Sequence, residues 1–191
     1  MIIDRVNTPP NESVWFAMQA THNREQKAQE RLQRDGIESF VPMCTKIEGR
    51  GRVKKMVAAP AVPNLMFVHA PISYMRDIKS NIPYLQFKYE VEQGSYRPIV
   101  VPTKEMEDFM TLYNSSELTQ KRYLDPYDPS LSKGERVRLH CGSSAIDGIE
   151  GVLVKIKGRR ERQLAISVGN FVTLIAAVDI DVVEIVCDRC K

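Results

Sequence analysis

The chain has 191 residues, 43% of them apolar and 27% charged, which suits a folded protein of one or two domains and excludes wholesale disorder. Its 27 basic and 24 acidic side chains leave a formal charge of +3, a mildly basic balance that permits a nucleic-acid partner without requiring one. The longest apolar run, residues 171–178, is broken by Thr173 and is too short to span a bilayer, so no membrane association is expected. The first residues contain Asp4 and Arg5 and no apolar stretch of the kind a signal peptide needs. Cysteines at 44, 141, 187 and 190 do not make a disulfide framework for a chain of this size, and the expected compartment is the cytoplasm.

Residues 1–12 read as a polar lead-in, and residues 14–20 as a first strand containing Trp15. Asn23 offers an N-cap with Gln26 as its capping-box partner, predicting a helix over 24–35 with Ala28 and Leu32 inward and Gly36 as its stop. Residues 37–41 form a second predicted strand. Residues 46–55 then carry Lys46, Arg50, Arg52, Lys54 and Lys55 against Glu48 alone. Such a run is either a solvated hairpin tip or a loop that touches a polyanion, because phosphate contacts need charge but no fixed geometry.

The chain is organised around residues 59–69. Pro60 and Pro63 enforce extended backbone, and a strand is expected to begin near Asn64. Period-two alternation turns Leu65, Phe67 and His69 one way and Met66 and Val68 the other, so both faces need cover. A second helix is expected over 73–81, with Met75, Ile78 and Ile82 inward and Pro83 ending it. A fourth strand follows over 84–89, then an extended piece over 97–102. The third helix, over 104–115 behind Thr103 as N-cap, places Met106, Phe109, Met110 and Tyr113 on one stripe. These elements predict a four-stranded, mainly antiparallel α/β sandwich over 13–118. Residues 119–132, with Asp125-Pro126-Tyr127-Asp128-Pro129, read as a linker. Five short strands over 135–140, 151–157, 164–168, 172–177 and 182–186 then predict a small β-barrel over 133–187, an α+β chain in all.

Little in the sequence suggests catalysis, and no catalytic residue, metal or cofactor is expected. Ser130 and Lys133 fit an S-x-x-K pattern without its companion motifs. Cys187 and Cys190 have zinc-knuckle spacing, but Cys44 and Cys141 lie in distant elements.

Residues 15–18, 37–42, 63–68 and 101–102 stand in the order found in the NusG N-terminal domain. The stretch 134–139, then Gly142, Glu150-Gly151-Val152 and Ser167-Val168, resembles that family's KOW motif. The resemblance covers about residues 13–187 and implies an NGN domain followed by an SH3-like KOW barrel. Asn64, where the general factor commonly has glycine, and the basic loop before it are similar to specialised paralogues such as RfaH and the UpxY antiterminators of polysaccharide operons. The implied role is non-enzymatic: binding the clamp helices of RNA polymerase, bridging the DNA cleft, and suppressing pausing and termination. On this chain the resemblance assigns polymerase contact to Pro63, Asn64, Leu65, Phe67 and Leu85, while the local charge makes Lys46, Arg50, Arg52, Lys54 and Lys55 the candidates for nucleic-acid contact. The polar His-Thr-Thr contact to the polymerase gate loop has no match, and only Arg76 and Asp77 stand in its region. In the barrel, Gly142-Ser143-Ser144 replaces the usual Gly-Pro-Phe, so the partners that the resemblance offers this domain, Rho or a ribosomal protein, are not carried over directly. A plain RNA-binding or ribosome-associated KOW protein is the alternative.

Overall fold

The computed structural model describes residues 11–49, 54–92, 94–142, 144–156, 162–178 and 183–186. They fall into two compact units, which divide between Thr103 and Lys104.

The first unit is built on β1 (Ser13–Ala20), which pairs antiparallel with β5 (Leu65–Pro71) along most of its length. The short strand β2 (Glu38–Phe40) adds to the far edge of β5, and β6 (Leu85–Phe87) and β9 (Val100–Val101) pair with β1. The expected strand over 84–89 is thus two elements. Lys88 interrupts it, its N–H donating to the Ala17 carbonyl at 2.9 Å, and the chain turns into the hairpin β7 (Tyr89–Glu92) and β8 (Ser95–Pro98). A second hairpin joins β3 (Met43–Glu48) to β4 (Lys55–Pro60), with six paired positions from Met43↔Pro60 to Glu48↔Lys55.

Directly paired residues share a face, so the register sorts the central side chains. Phe16, Met18, Ala20, Met66, Val68, Leu85 and Phe87 point one way and form a core with both helices of this unit: Ala28 and Leu32 from α1 (Glu25–Arg34), Met75 and Ile78 from α2 (Ile72–Asn81). Trp15, Ala17, Leu65 and Phe67 point the other way, and they too are buried.

The expected capping box at the start of α1 does not form. His22 and Asn23 both adopt left-handed backbone, with φ of 62° and 54°, whereas a side-chain N-cap needs an extended residue. Arg24 occupies the cap position without a side-chain bond, and the turn is secured by Asn64 instead.

The second unit departs further from the sequence reading. Helix α3 (Thr103–Asn114), expected to close the first domain, falls almost wholly within it. The Glu105 carboxylate accepts the Gly169 N–H, and farther on Glu117 accepts the Ser144 hydroxyl at 2.6 Å. The helix buries Met106, Phe109 and Leu112, with the expected Met110 and Tyr113 half-buried at the edge of that stripe.

The segment read as a linker is structured. Residues Thr119–Leu124 form β10, paired with β14, and Pro129–Ser132 form the short helix α4. Asp128 caps α4: its carboxylate accepts the Ser130 N–H at 2.8 Å and the Ser130 hydroxyl at 2.6 Å. That cap gives Ser130 a structural role in place of the S-x-x-K match. With β11 (Glu135–Leu139), β12 (Glu150–Val154), β13 (Gln163–Val168), β14 (Val172–Ala177) and β15 (Val183–Ile185), the result is a six-stranded antiparallel sheet in the order β10-β14-β13-β12-β11-β15. Its core centres on Val154, Ala165 and Ile175, against which Leu124 and Leu131 pack from the supposed linker.

The three positions that the resemblance assigns to the KOW motif each have a physical reason, and at Gly142 it is left-handed backbone with φ of 65°. At Gly151 a Cβ would lie 2.8 Å from the Ala165 carbonyl oxygen and 2.8 Å from a Leu164 methyl, so only glycine lets β12 approach β13 this closely. Glu150 meets Arg138 and Arg136 across the β11–β12 ladder, with Arg136 at 3.5 Å. The hydrogen bond from Arg138 holds its carboxyl below the usual value of 4.5. A depressed folded-state pKa stabilises above the unfolded value and is lost as pH falls through the folded one. Urea midpoints between about pH 5 and pH 3 should therefore fall more for the wild type than for Glu150→Gln, and parallel curves would show that the pair contributes nothing.

Candidate functional site

The β1–β5 register sets the face of the sheet opposite α1 and α2. Phe67 lies beside Ala17 on β1 and Phe40 on β2, Leu65 beside Gln19, and Trp15 beside Val101. His69 continues the row: its ring stacks on Trp15 with centroids 5.0 Å apart, and its Nδ1 lies 3.1 Å from Glu38. The structure thus brings Leu65 and Phe67 together in one apolar row with Trp15 and Phe40. It does not bring Leu85 to them. Through Ala20↔Leu85 and Met18↔Phe87, Leu85 lies on the opposite face, in the core with both helices.

Leu65 is 1% exposed and Phe67 0%. The row is a buried sheet face.

Pro63 and Asn64 shape the start of β5. Asn64 has φ of 62°, a conformation that glycine and asparagine tolerate best. Its N–H donates to the buried carboxylate of Glu25, its carbonyl accepts the Ala20 N–H at 3.1 Å, and its Oδ1 accepts the Asn23 N–H at 3.0 Å. One residue therefore ties the β1–α1 turn, the first turn of α1 and the start of β5. Its side chain is engaged within the fold, so it acts as a positioning residue. Asn64→Val, which puts a branched Cβ in left-handed backbone and deletes one bond, should destabilise the chain by about 2 kcal/mol, and Asn64→Gly by clearly less. Equal denaturation midpoints for the two variants would remove the conformational argument.

Of the sequence-predicted nucleic-acid residues, Lys46, Lys54 and Lys55 are exposed on the β3–β4 hairpin. Lys46 donates from Nζ to the Pro60 carbonyl at 2.8 Å. Arg50 and Arg52 lie outside the described residues.

A second basic feature escaped the sequence reading. Arg24, Lys27, Arg31 and Arg34 recur at helical spacing along one side of α1. Lys27, Glu30, Arg31 and Arg34 face Asn81 and Tyr84 across a groove of about 280 Å³. The Arg24 guanidinium lies 5.2 Å from the centre of the Tyr84 ring, and Arg31 reaches Asp35 at 3.8 Å. The spacing of three, four and three residues between positions 24, 27, 31 and 34 was the available signal. A cationic wall facing an aromatic ring and an amide is suited to a phosphate-bearing ligand with a planar base.

Among the described residues no group of histidine, cysteine and acidic side chains could hold a metal, and no helix is long and apolar enough to cross a membrane. Cys44 and Cys141 are free thiols, the latter held above its usual pKa by burial and by the neighbouring Glu117 and Asp147. Cys187 and Cys190 lie outside the described residues.

A comparison with curated proteins finds no match. Among solved structures, one described as "Domain interaction in Thermotoga maritima NusG" is 18% identical, covers 92% of this chain and 98% of its own, and superposes with a TM-score of 0.44. Residues 13–110 match the family model "Transcription termination factor nusG", which takes in β1 through most of α3, including the apolar row, the Asn64 turn and the basic groove. With just over half of its length matched in this way, the chain belongs to the NusG family of transcription factors.

Proposed function

We propose that this chain is a transcription elongation and antitermination regulator of the specialised type, which binds the clamp helices of RNA polymerase and suppresses pausing or termination on particular operons, such as those for polysaccharide biosynthesis. The observation that carries the reading is the apolar row of Trp15, Phe40, Leu65 and Phe67 on the sheet face away from α1 and α2. A helical partner with an apolar stripe can lie across such a face, and aromatic and aliphatic anchors usually dominate interfaces of this kind. Because the row is buried, binding draws on the fraction of molecules in which it is uncovered, and the apparent affinity is reduced by that fraction. The role is that of a cytoplasmic binding protein, with Leu85 supporting the sheet from behind.

The basic features fit a protein that also touches the nucleic acid of the elongation complex. The β3–β4 hairpin supplies Lys46, Lys54 and Lys55, with Arg50 and Arg52 between Lys46 and Lys54 in sequence, and the α1 groove supplies Lys27, Arg31 and Arg34. Phosphate contacts of this sort position a protein without reading sequence, whereas Tyr84 and Asn81 offer a base platform and an edge.

The decisive measurement is capture of purified core polymerase by the full chain. Reversing Lys27, Arg31 and Arg34 to glutamate should leave capture of free polymerase nearly unchanged. Affinity for an elongation complex with exposed single strand should fall, with a salt slope shallower by up to about 2, since each lost single-strand phosphate contact removes about 0.7. Failure to capture polymerase at all, with retention of ribosomal RNA, would favour a ribosome-associated KOW protein.

A further inference from the structure

The β3–β4 hairpin carries more than charge. Ile47 and Met56 face each other directly across its two strands and are 69% and 72% exposed. They share a face with Thr45 and Ala58, while Lys46, Glu48 and Lys55 project from the opposite face. Water gains nothing from two large apolar side chains one pair inside the outermost pair, Glu48↔Lys55, of a two-stranded ribbon, and an exposed apolar pair of this kind is a candidate contact. Elsewhere in the first unit, the exposed cross-strand pair Val91 and Tyr96 stands next to the pair Glu90 and Arg97, whose formal charges balance. The setting of Ile47 and Met56 is basic instead, with Lys46, Lys54 and Lys55 against Glu48 among the described residues.

We propose that the β3–β4 hairpin is a wedge for DNA: Ile47 and Met56 enter an unstacked step at a junction between duplex and single strand, while Lys46, Lys54 and Lys55 hold the adjoining phosphates. The inference rests on the nucleic-acid reading of this hairpin and adds a second contact of a different chemistry. Six paired residues make a ribbon about 20 Å long, and a two-stranded ribbon is narrow enough to enter a DNA groove. Isoleucine and methionine are among the side chains that wedge between base steps, and the flexible thioether adapts to an irregular gap. A protein partner would meet the same apolar pair, but it would not call for cations around it.

The test uses the full chain and a forked DNA with 2-aminopurine at the junction, with no polymerase present. Binding of the wild type should raise the fluorescence of the junction base. Ile47→Ser with Met56→Ser, both at exposed positions, should abolish that rise and reduce the preference for fork over plain duplex by about fivefold, with the salt slope unchanged. Lys54→Glu with Lys55→Glu should weaken binding to fork and duplex alike and flatten the salt slope. A wild type that binds the fork without a fluorescence change overturns the proposal, as does a serine variant that keeps both signals. Loss of polymerase capture by the serine variant, with fork binding intact, would assign the pair to a protein contact and also overturn it. Because the fork assay contains no polymerase, its outcome is separate from that of the clamp-helix reading.

Discussion

Phe67→Ala and Leu65→Ala should each weaken binding of core RNA polymerase by at least about 1 kcal/mol, the loss expected when an interface anchor is truncated. Both side chains are buried in the free chain, so the same substitutions also cost folding stability, about 3–5 kcal/mol for a fully buried phenylalanine. A stability control is therefore part of the experiment. Met66 sits between them on the same strand, equally buried, but it points to the core with α1 and α2. Met66→Ala should destabilise the fold comparably and leave polymerase affinity nearly unchanged. Binding is measured where all three variants remain folded by circular dichroism. Destabilisation that uncovers the row could even tighten the remaining contact, which makes the sign at Met66 informative. Equal losses at positions 66 and 67 would mean that affinity follows fold integrity and would remove the apolar row from the interface.

The alternation of residues 65–69 made the two-faced strand legible, because one residue of register decides which side every neighbour takes. That local rule could not place Leu85. Its face depends on the pairing Ala20↔Leu85, a contact between elements more than sixty positions apart in sequence. Asn64 was legible as the start of β5, but its three hydrogen bonds join segments that only the fold brings together. Glu25 went unread for the same reason: a carboxylate in the first turn of a helix looks like a surface residue, and here it is buried against the Asn64 N–H. In α1, the helical spacing of Arg24, Lys27, Arg31 and Arg34 is visible in the sequence, but its meaning is not. Whether a stripe faces a groove or open solvent depends on what packs beside it, which periodicity along one helix does not contain.

The boundary of the second unit shows the same limit and yields the other large expected effect. Lys121-Arg122-Tyr123-Leu124 has no alternation because β10 sits at the edge of its sheet, paired on one side with β14, so the usual polar-apolar rhythm is weak. Yet Arg122 donates to the Gln163 side chain at 2.9 Å, and Leu124 packs against the Val154–Ala165–Ile175 core. A fragment over 131–187 lacks β10 and leaves β14, with buried Val172, Leu174 and Ile175, as a bare apolar edge. Such an edge is a template for pairing with other chains. The fragment should give broadened amide resonances or concentration-dependent association. A fragment beginning at residue 104, which keeps α3 and β10, should instead give dispersed, monomeric spectra. Restoring β10 but substituting Leu124→Asp should reproduce much of the defect, since it places an unpaired charge against the core, at a cost of about 3 kcal/mol or more. A dispersed, monomeric spectrum from residues 131–187 alone would show that β10 is dispensable and would return residues 119–132 to the role of a linker.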